Sequence, residues 1–201
     1  DIRDWLAAKD SVLKSAPRVS VIVPAYNAAA YLPATIQSVR QQTFQDFEIW
    51  VVDDQSTDDT VAVVQKLMTQ DARIKLVQLS ANQGVANARN VGVAHAQGQY
   101  VAFLDSDDMW LPKKLEVQIS FMQEHQADFS YCNYDVVDDH GTQVGQRKVS
   151  QTQLTYQEML KGNRIGLLTV MLTRKTALQH PFPQINHEDY ACWLSIARSG
   201  I

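Results

Sequence analysis

Three carboxylates fall within four residues in the segment Asp105–Asp108, directly after an apolar run that ends at Leu104. Negative charges this close together repel one another unless a cation neutralises them, and carboxylate oxygens suit Mg²⁺ or Mn²⁺. Magnesium sites commonly combine one or two carboxylates with the phosphate oxygens of a substrate. The other interpretation of this DXD pattern is a solvated acidic turn before the helix that follows Pro112. Its position at the end of a predicted strand favours the metal and phosphate site.

A second acidic cluster, residues 53–58, follows another apolar run. Part of it is typical of a helix start, because Ser56 or Thr57 can accept hydrogen bonds from the first amides of the helix that follows. Helix capping does not require the preceding pair, Asp53 and Asp54. A carboxylate at this place can accept hydrogen bonds from the N–H group of a base or from ribose hydroxyls.

Two further segments place charged residues at predicted helix starts. Arg89 lies about one turn inside a helix that begins near Gly84, where it can bind a diphosphate or hold acidic loops. The alternative is that Arg89 pairs with surface acids. Glu188 and Asp189 open the last predicted helix, where the helix dipole alone favours acidic side chains.

Four predicted strands, each short and apolar, alternate with predicted helices along the first part of the chain. The strands cover residues 19–23, 47–52, 74–79 and 100–104, and the helices cover residues 33–42, 58–70, 84–97 and 114–126. This alternation predicts an α/β fold with a mostly parallel central sheet and helices on both faces. Ligands of such sheets bind at the carboxyl ends of the strands. The polar clusters 24–27, 53–56 and 105–108 all fall there, so we expect them to form one site.

The second half of the chain has a less regular pattern. It predicts a strand over residues 129–137, an exposed hairpin or loop over 141–154, a short helix over 155–161, a strand over 167–173, a helical turn over 174–179, a loop over 181–186 and a closing helix over 188–198. Thr155 and Glu158 have the spacing of a capping box. Residues 1–17 predict an amphipathic helical extension, and residues 18–201 predict one domain that lacks its C-terminal end.

The composition and the absence of certain motifs exclude several classes of protein. The 201 residues are 45% hydrophobic and 20% charged, as in ordinary globular domains, and the formal net charge of −4 offers no basic surface for nucleic acid. There is no long apolar run, the first residues lack the charged and apolar regions expected of a secretory signal, and Cys132 and Cys192 lack the spacing of a zinc site or a disulfide framework. The HExxH, GxSxG, GxxxxGK[ST] and GxGxxG motifs are also absent. We therefore expect a cytoplasmic protein with reduced cysteines.

Taken together and in order, the polar clusters resemble those of family 2 glycosyltransferases, which have the GT-A fold. The segments that carry the resemblance are Val19–Asn27, Gln42–Ile49, Val51–Asp58, Asn82–Gly84, Ala88–Asn90, Phe103–Asp108, Glu188–Tyr190 and Trp193–Leu194. They span residues 19–194 in the order in which the family has them. One departure is Gln55, where the family more often has Gly or Asn.

The resemblance implies transfer of a sugar from a nucleotide-diphosphate sugar, with UDP as the expected nucleotide, to an acceptor hydroxyl, with inversion at the anomeric carbon. It also implies a divalent cation, Mn²⁺ or Mg²⁺, that assists departure of the nucleotide. The expected acceptor is a saccharide or a lipid-linked saccharide in cell-surface polysaccharide synthesis. Such an acceptor implies at most peripheral membrane association, at the inner face of the membrane, and no nucleic-acid partner.

Carried over by position, the resemblance assigns nucleotide binding to one set of residues. The set is Pro24, Ala25, Tyr26, Asn27, Asp53, Asp54, Arg89, Asp105 and Ser106. Tyr26 is expected to stack on the base, next to Pro24 and Asp54. Asp105 is expected to approach the ribose, and Arg89 the base or the diphosphate.

The resemblance assigns two remaining tasks to acids that lie far apart in the sequence. Asp107 and Asp108 are the expected metal ligands, and Asp189 is the expected general base. Inversion requires a carboxylate on the face of the sugar opposite the leaving nucleotide, to take the acceptor proton. Glu188 and Trp193 are candidates for acceptor contacts, and a position in the core is the alternative for Trp193.

Two other functions stay open at this point. A non-catalytic module that binds nucleotide sugars keeps the same fold, although all the expected acids are present here. A sugar nucleotidyltransferase favours a glycine-rich, lysine-containing loop after the first strand, where this sequence has Pro24–Ala28 instead. Transfer to an acceptor separates the enzyme from the binding module, and pyrophosphate release identifies a nucleotidyltransferase.

Overall fold

The computed structural model describes residues 16–138, 140–149 and 153–201, so the helix predicted over residues 1–17 lies almost wholly outside the described residues. The described strands are β1 (Val19–Ala25), β2 (Phe47–Asp53), β3 (Ile74–Gln78), β4 (Tyr100–Phe103), β5 (Phe129–Ser130), β6 (Tyr134–Val137), β7 (Gln143–Arg147) and β8 (Met171–Thr173). The described helices are α1 (Leu32–Arg40), α2 (Thr60–Gln70), α3 (Val85–His95), α4 (Lys114–Glu124), α5 (Tyr156–Met159), α6 (Arg174–Gln179) and α7 (Glu188–Arg198), with a 3₁₀ turn at Leu167–Thr169.

A six-stranded central sheet has the strand order β3-β2-β1-β4-β8-β5. The pairs β1–β2, β1–β4 and β2–β3 are parallel, whereas β8 runs antiparallel to both β4 and β5. The expectation of a mostly parallel sheet is therefore confirmed. The register sets Ala25 opposite Asp53 and Ile22 opposite Phe103, so β1, β2 and β4 end at the same edge. We call it the carboxyl edge.

Helices cover both faces of this sheet, as the alternation of elements predicts. On one face, Val19, Val21 and Val23 share a core with buried residues of α1, α2 and α4, and on the other, Ile22 packs with residues of α3, α6 and α7. β1 and β4 are buried at every position, which explains why both strands lack the alternating pattern of a half-exposed strand. Gly92 lets α3 lie close to β1, because a Cβ at this position would be 2.4 Å from Ile22 Cγ2.

The second half departs from its predicted strands in two places. The strand predicted over residues 129–137 is interrupted, because β5 joins the central sheet and β6 pairs with β7 in a separate antiparallel hairpin. The β6 residues are half-buried to exposed, so they do not belong to the buried sheet. The strand predicted over residues 167–173 begins with the 3₁₀ turn, in which the Thr169 hydroxyl donates to the Gly166 carbonyl at 2.7 Å.

Other predictions for the second half are confirmed. The β6–β7 hairpin is exposed, and α5 has the capping box between Thr155 and Glu158. α7 begins and ends at the predicted residues. Cys132 and Cys192 are both free thiols. Within the part of the chain that the structure describes, no helix is both long and apolar enough to cross a membrane.

Candidate functional site

Hydrogen bonds tie the turn after β1 to the turn after β2. Asn27 has a left-handed backbone, with φ of 50°; its amide donates to Ser56 Oγ at 2.9 Å, and its Oδ1 accepts from the Thr57 amide at 2.8 Å. The prediction that Ser56 or Thr57 caps α2 is wrong. This helix begins at Thr60, whose amide donates to Asp58 Oδ1 at 2.9 Å. The Ser56 and Thr57 groups instead hold the two turns together at the carboxyl edge.

Asp54 connects the carboxyl edge to the start of α3. It is 4% exposed, and its two carboxylate oxygens accept hydrogen bonds from the backbone amides of Gln83 and Gly84, both at 2.8 Å. Because a carboxylate has about four lone-pair positions, Asp54 keeps acceptor capacity for a ligand. Asp53 is held differently: its Oδ2 accepts from the Ser56 amide at 3.3 Å, and its Oδ1 is buried without a partner among the described residues.

A cavity of about 330 Å³ opens at the carboxyl edge, and we call it the edge cavity. Its walls are formed by Pro24, Ala25, Tyr26, Asp54, Val85, Ala88, Arg89, Asp105, Ser106 and Asp107. Most of the predicted nucleotide-binding residues and one predicted metal ligand therefore surround the same space. Tyr26 is 52% exposed, which leaves its ring accessible to a base. Asn27, Asp53 and Asp108 do not line this cavity.

The acidic turn after β4 consists of Asp105, Ser106, Asp107 and Asp108. Burial, together with the charges of Asp105 and Asp107, raises the pKa of Asp108 to about 6. The Thr35 hydroxyl fixes the turn by donating to the Ser106 carbonyl at 2.7 Å. Among residues 16–138, 140–149 and 153–201, no three His, Cys, Asp or Glu side chains are grouped to hold a metal ion by themselves. A cation here therefore needs further ligands, and substrate phosphate oxygens are the common ones.

Arg89 joins this acidic turn to the start of α7. Its Nη2 donates to Asp105 Oδ1 at 2.8 Å, and its Nη1 donates to Glu188 Oε1 at 2.5 Å. The side chain is buried, and its guanidinium carbon lies 5.5 Å from the centre of the Phe182 ring. Of the roles predicted for Arg89, the structure shows the one in which it holds acidic segments in place, although Arg89 also lines the edge cavity.

The first turn of α7 presents its two acids to different partners. Glu188 pairs with Arg89, whereas Asp189 Oδ2 accepts from Asn163 Nδ2 at 3.1 Å. Asn163 is itself oriented, because its Oδ1 accepts a backbone amide two residues later at 3.2 Å. His187, at the N-cap of α7, has φ of 58° and makes no side-chain capping hydrogen bond. Tertiary contacts therefore hold the start of this helix.

A second cavity, of about 570 Å³, shares Val85 with the edge cavity. Its walls are formed by Gln83, Gly84, Val85, Ala86, Gln184, Ile185, Asn186, His187 and Glu188. Asp107 lines the edge cavity and Glu188 lines the second one, whereas Asp189 lines neither. The predicted metal ligand and the predicted base are thus not in the wall of one cavity. The ion pair between Arg89 and Glu188 connects the two regions.

Trp193 lies in the hydrophobic core. It is 1% exposed and packs edge-on against Phe129 and Phe182, with ring centroids 5.4 Å and 5.7 Å away. This placement corresponds to the core alternative for Trp193. It does not bring the ring to a surface that an acceptor can reach.

Asn163 is a site residue that the sequence did not single out. It lies in an irregular loop between α5 and the 3₁₀ turn, where no hydrophobic periodicity marks a position. The preceding Gly162, with φ of 143°, is a local signal of a turn. Nothing in the sequence connects this loop with the start of α7.

A family model described as Glycosyl transferase family 2 matches residues 20–182, which is most of the chain. The chain belongs to glycosyltransferase family 2. The resemblance seen in the sequence motifs is therefore confirmed, and so is the class of enzyme.

The matches to two curated relatives cover most of this glycosyltransferase chain. It is 43% identical over 185 residues to TuaG of Bacillus subtilis (strain 168), a glycosyltransferase connected by name with teichuronic acid biosynthesis; the match covers 92% of this chain and 73% of TuaG. It is 42% identical over 180 residues to WfgD of Escherichia coli, named as a UDP-Glc:α-D-GlcNAc-diphosphoundecaprenol β-1,3-glucosyltransferase, and that match covers 90% of this chain and 70% of WfgD.

Solved structures confirm the GT-A fold of the glycosyltransferase. Residues 1–349 of Staphylococcus aureus TarS, solved in complex with UDP, match with a TM-score of 0.75 and 28% identity over 90% of this chain. The match covers 55% of that TarS chain, so the glycosyltransferase spans about half its length. The mannosyltransferase PcManGT from Pyrobaculum calidifontis, solved with GDP-Man and Mn²⁺, matches with a TM-score of 0.71 and 20% identity over 99% of this chain and 60% of its own, and supports the fold alone.

Proposed function

We propose that this glycosyltransferase transfers a sugar from a UDP-sugar to a hydroxyl of a lipid-linked saccharide, with inversion, during assembly of a cell-surface polysaccharide. The observation that carries the proposal is the edge cavity, whose walls combine Tyr26, Asp54, Asp105 and Asp107. An aromatic ring, one buried and one partly exposed hydrogen-bond acceptor, and an exposed carboxylate are the groups that a base, a ribose and a cation-bound diphosphate require.

Uracil is the proposed base. The ring of Tyr26 stacks on it, and Asp54, already oriented by two backbone amides, accepts a hydrogen bond from its N–H group. Asp105 accepts from the ribose. Two relatives support the choice of nucleotide: TarS was solved with UDP, and the name of WfgD specifies UDP-Glc. Asn27 and Asp53, which do not line the cavity, contribute by holding its walls.

Asp107 and Asp108 are the proposed ligands of a Mn²⁺ or Mg²⁺ ion. Their oxygen atoms suit these hard cations. Burial and then the neighbouring charges of Asp105 and Asp107 raise the pKa of Asp108, and a divalent cation bound at this turn would favour its charged form. When bound, the ion neutralises the charge that develops on the departing diphosphate. Thr35 keeps the acidic turn in place for this purpose.

Asp189 is the proposed general base. It takes the proton of the acceptor hydroxyl as the acceptor oxygen forms its bond to the anomeric carbon. The bond from that carbon to the diphosphate oxygen breaks, and UDP leaves with the electron pair. Asp189 supports this role because it is partly exposed, is oriented by Asn163 and directly follows Glu188, which is bound to Arg89 of the edge cavity.

A lipid-linked saccharide is the proposed acceptor, because the name of WfgD specifies a diphosphoundecaprenol-linked sugar and a β-1,3 product. A β product is what inversion of an α-linked nucleotide sugar gives. Because this acceptor is anchored in the membrane by its lipid, binding it brings the enzyme to the inner face of the membrane.

The test begins with binding and continues with transfer. The chain is heated with UDP, GDP, ADP and CDP, each with and without Mn²⁺. A ligand at 100 times its Kd stabilises a protein by about 2.7 kcal/mol, so UDP with Mn²⁺ is expected to give the largest increase in melting temperature. The chain is then incubated with UDP-glucose or UDP-GlcNAc and a synthetic GlcNAc-diphosphoryl lipid, and the anomeric configuration of the product is read by NMR.

Each part of the proposal has its own contradicting result. Stabilisation by another nucleotide in preference to UDP contradicts the base assignment, and a retained configuration contradicts inversion. Binding of UDP without transfer or donor hydrolysis identifies a binding module. Pyrophosphate released from UTP and a sugar phosphate identifies a nucleotidyltransferase.

A further inference from the structure

Arg89 bridges two acids that come from distant parts of the chain. Its guanidinium contacts Asp105, on the acidic turn after β4, and Glu188, the first residue of α7. We infer that Arg89 is a positioning residue that fixes the first turn of α7 relative to the edge cavity and thereby orients the base. The inference rests on the proposed function in one respect, the assignment of Asp189 as the base.

The burial and geometry of the bridge distinguish it from a surface ion pair. The Arg89 side chain is 5% exposed, and those of Glu188 and Asp105 are 17% and 33% exposed. Arg89 offers one nitrogen to each acid, which a planar guanidinium can do at fixed geometry and a single ammonium group cannot reproduce. Replacement of Arg89 by Lys therefore keeps the charge but removes one of the two contacts.

The charges at the bridge argue against Arg89 as a diphosphate ligand. One positive charge lies between two carboxylates, so the three side chains together carry a net negative charge. A diphosphate approaching this group meets a cation that is already neutralised. The role of the guanidinium is to hold two acidic segments together, in a site where their separation would otherwise be favoured.

The position of α7 depends on such contacts, because His187 provides no side-chain cap for the helix. α3 also holds the segment before α7 through Asn90, which accepts from the Phe182 amide at 2.9 Å and donates to the Phe182 carbonyl at 2.8 Å. Two consecutive residues of α3, Arg89 and Asn90, thus bind the chain at both ends of the segment 183–187, which leads into α7.

The bridge acts on the base through the geometry of one helical turn. Glu188 and Asp189 are adjacent in α7, so their side chains leave the helix in different directions. When Glu188 is fixed on Arg89, rotation of the first turn about the helix axis is restricted, and the direction of Asp189 is set. A misplacement of about 1 Å at a reacting group can cost about 100-fold in rate.

The experiment compares Glu188→Gln, Arg89→Lys and the double variant with wild type. Measured quantities are the Kd for UDP with Mn²⁺, kcat, and the KM values for donor and acceptor. The two single variants are expected to lower kcat about 10- to 100-fold, with the Kd for UDP within about 3-fold of wild type. The kcat of the double variant is expected to lie within about 2-fold of that of the slower single variant, because both changes remove the same interaction.

A matched control is Arg73→Lys. Arg73 makes two contacts to Asp71, at 3.0 Å and 2.7 Å, before β3 and at the sheet edge opposite the cavity. This variant is expected to lower the melting temperature and leave kcat and both KM values unchanged. A general loss of stability is thereby distinguished from a loss of positioning.

Hydrogen–deuterium exchange tests the bridge without any activity. The Ala191 amide makes the first backbone hydrogen bond of α7, because it donates to the carbonyl of the N-cap residue His187 at 3.1 Å. Arg89→Lys and Glu188→Gln are expected to speed exchange at residues 191–193 at least about 5-fold, whereas Arg73→Lys is not. If wild type transfers no sugar but the exchange result is as expected, the bridge stands and the proposed function fails.

Three results overturn the inference. If Arg89→Lys weakens UDP binding at least about 10-fold with kcat unchanged, Arg89 is a donor ligand. If Glu188→Gln raises only the acceptor KM, Glu188 is an acceptor contact. If the effects of the two variants on kcat multiply in the double variant, the two side chains act independently.

Discussion

Asp54 in the edge cavity and the two acids of the first turn of α7 are held by different sets of donors. Asp54 accepts hydrogen bonds from two backbone amides, both at 2.8 Å. Glu188 accepts from the Arg89 side chain, and Asp189 accepts from the Asn163 side chain as well as from the Tyr190 amide. A backbone amide is present whatever the side chain, except in proline, whereas a side-chain donor is lost by a single substitution. Donor binding is therefore expected to withstand many substitutions that impair transfer.

The largest effect is expected from Asp189→Asn, which keeps the shape of the side chain and removes the proposed base. Transfer is expected to fall about 10³-fold, because general base catalysis contributes this order of magnitude. The Kd for UDP is expected to stay within about 2-fold, since the edge cavity is unchanged. Initial rates and calorimetric titration with UDP measure the two quantities. Asp46→Asn, at the opposite edge of the sheet, is the control, and comparable rates for the two variants remove Asp189 as the base.

Asp107→Ala is expected to act on donor binding instead. The variant is expected to lose the Mn²⁺-dependent part of the stabilisation by UDP and about 100-fold in transfer, because a bound cation contributes several kcal/mol to stabilisation of the departing charge. Thermal unfolding with UDP, in Mn²⁺ and in EDTA, measures this part. Wild type and variant are expected to coincide in EDTA. An undiminished Mn²⁺ response in the variant contradicts the assignment of Asp107.

Asn163→Ala is expected to have a smaller effect, confined to transfer. The substitution removes the amide that orients Asp189 Oδ2, and a hydrogen bond to a charged group is worth about 10-fold in rate. The Kd for UDP is not expected to change. Asn133→Ala is the matched control, because the Asn133 side chain likewise makes one hydrogen bond, accepting from the Val149 amide after β7 at 2.8 Å. Equal kcat values for Asn163→Ala and wild type would show that Asp189 is oriented without Asn163.

The smallest functional effect is expected at Lys114, which lies outside both regions. Its Nζ lies 3.8 Å from the centre of the Trp110 ring and is buried without a hydrogen-bond partner among the described residues. Burial lowers the pKa of Lys114 to about 7. Between this pKa and that of an unfolded lysine, the unfolded chain binds more protons, so the free energy of unfolding rises with pH from about 7 to 10.

Lys114→Met is expected to remove this part of the pH dependence. At pH 7 the variant is expected to unfold at a higher temperature than wild type, because a buried amine without a hydrogen-bond partner is replaced by an apolar group of similar length. Melting temperatures from pH 6.5 to 9 measure the difference, which is expected to shrink as the pH rises. The Kd for UDP is expected to be the same in both proteins. If the melting temperatures of variant and wild type change in parallel with pH, Lys114 is not the source of this pH dependence.

Much of the edge cavity could be predicted from sequence, because local pattern determines it. Nearly continuous apolar runs identified β1, β2 and β4, and the polar residues that follow such strands in a parallel sheet necessarily meet at one edge. The first residue of α7 could also be predicted, since Glu188 and Asp189 belong in a first helical turn.

The remaining features depend on contacts between distant residues. Arg89 was assigned to the nucleotide by position, and only the fold shows that Glu188 lies next to it. Ser56 has the side chain of a helix cap, but Asn27, 29 residues earlier, competes for its hydroxyl. The antiparallel direction of β8 has no local signal, because three residues pair equally well either way round.

The antiparallel strand β8 also has an evolutionary consequence. Ser130 at the end of β5 lies opposite Met171 at the start of β8, so the chain between them leaves and re-enters the sheet on adjacent strands, about 4.8 Å apart. An insertion with such closely spaced ends can lengthen, shorten or be replaced while β1, β2 and β4 keep their register. Divergent members of a family built this way can therefore vary the segment between β5 and β8 while the carboxyl edge of the sheet stays unchanged.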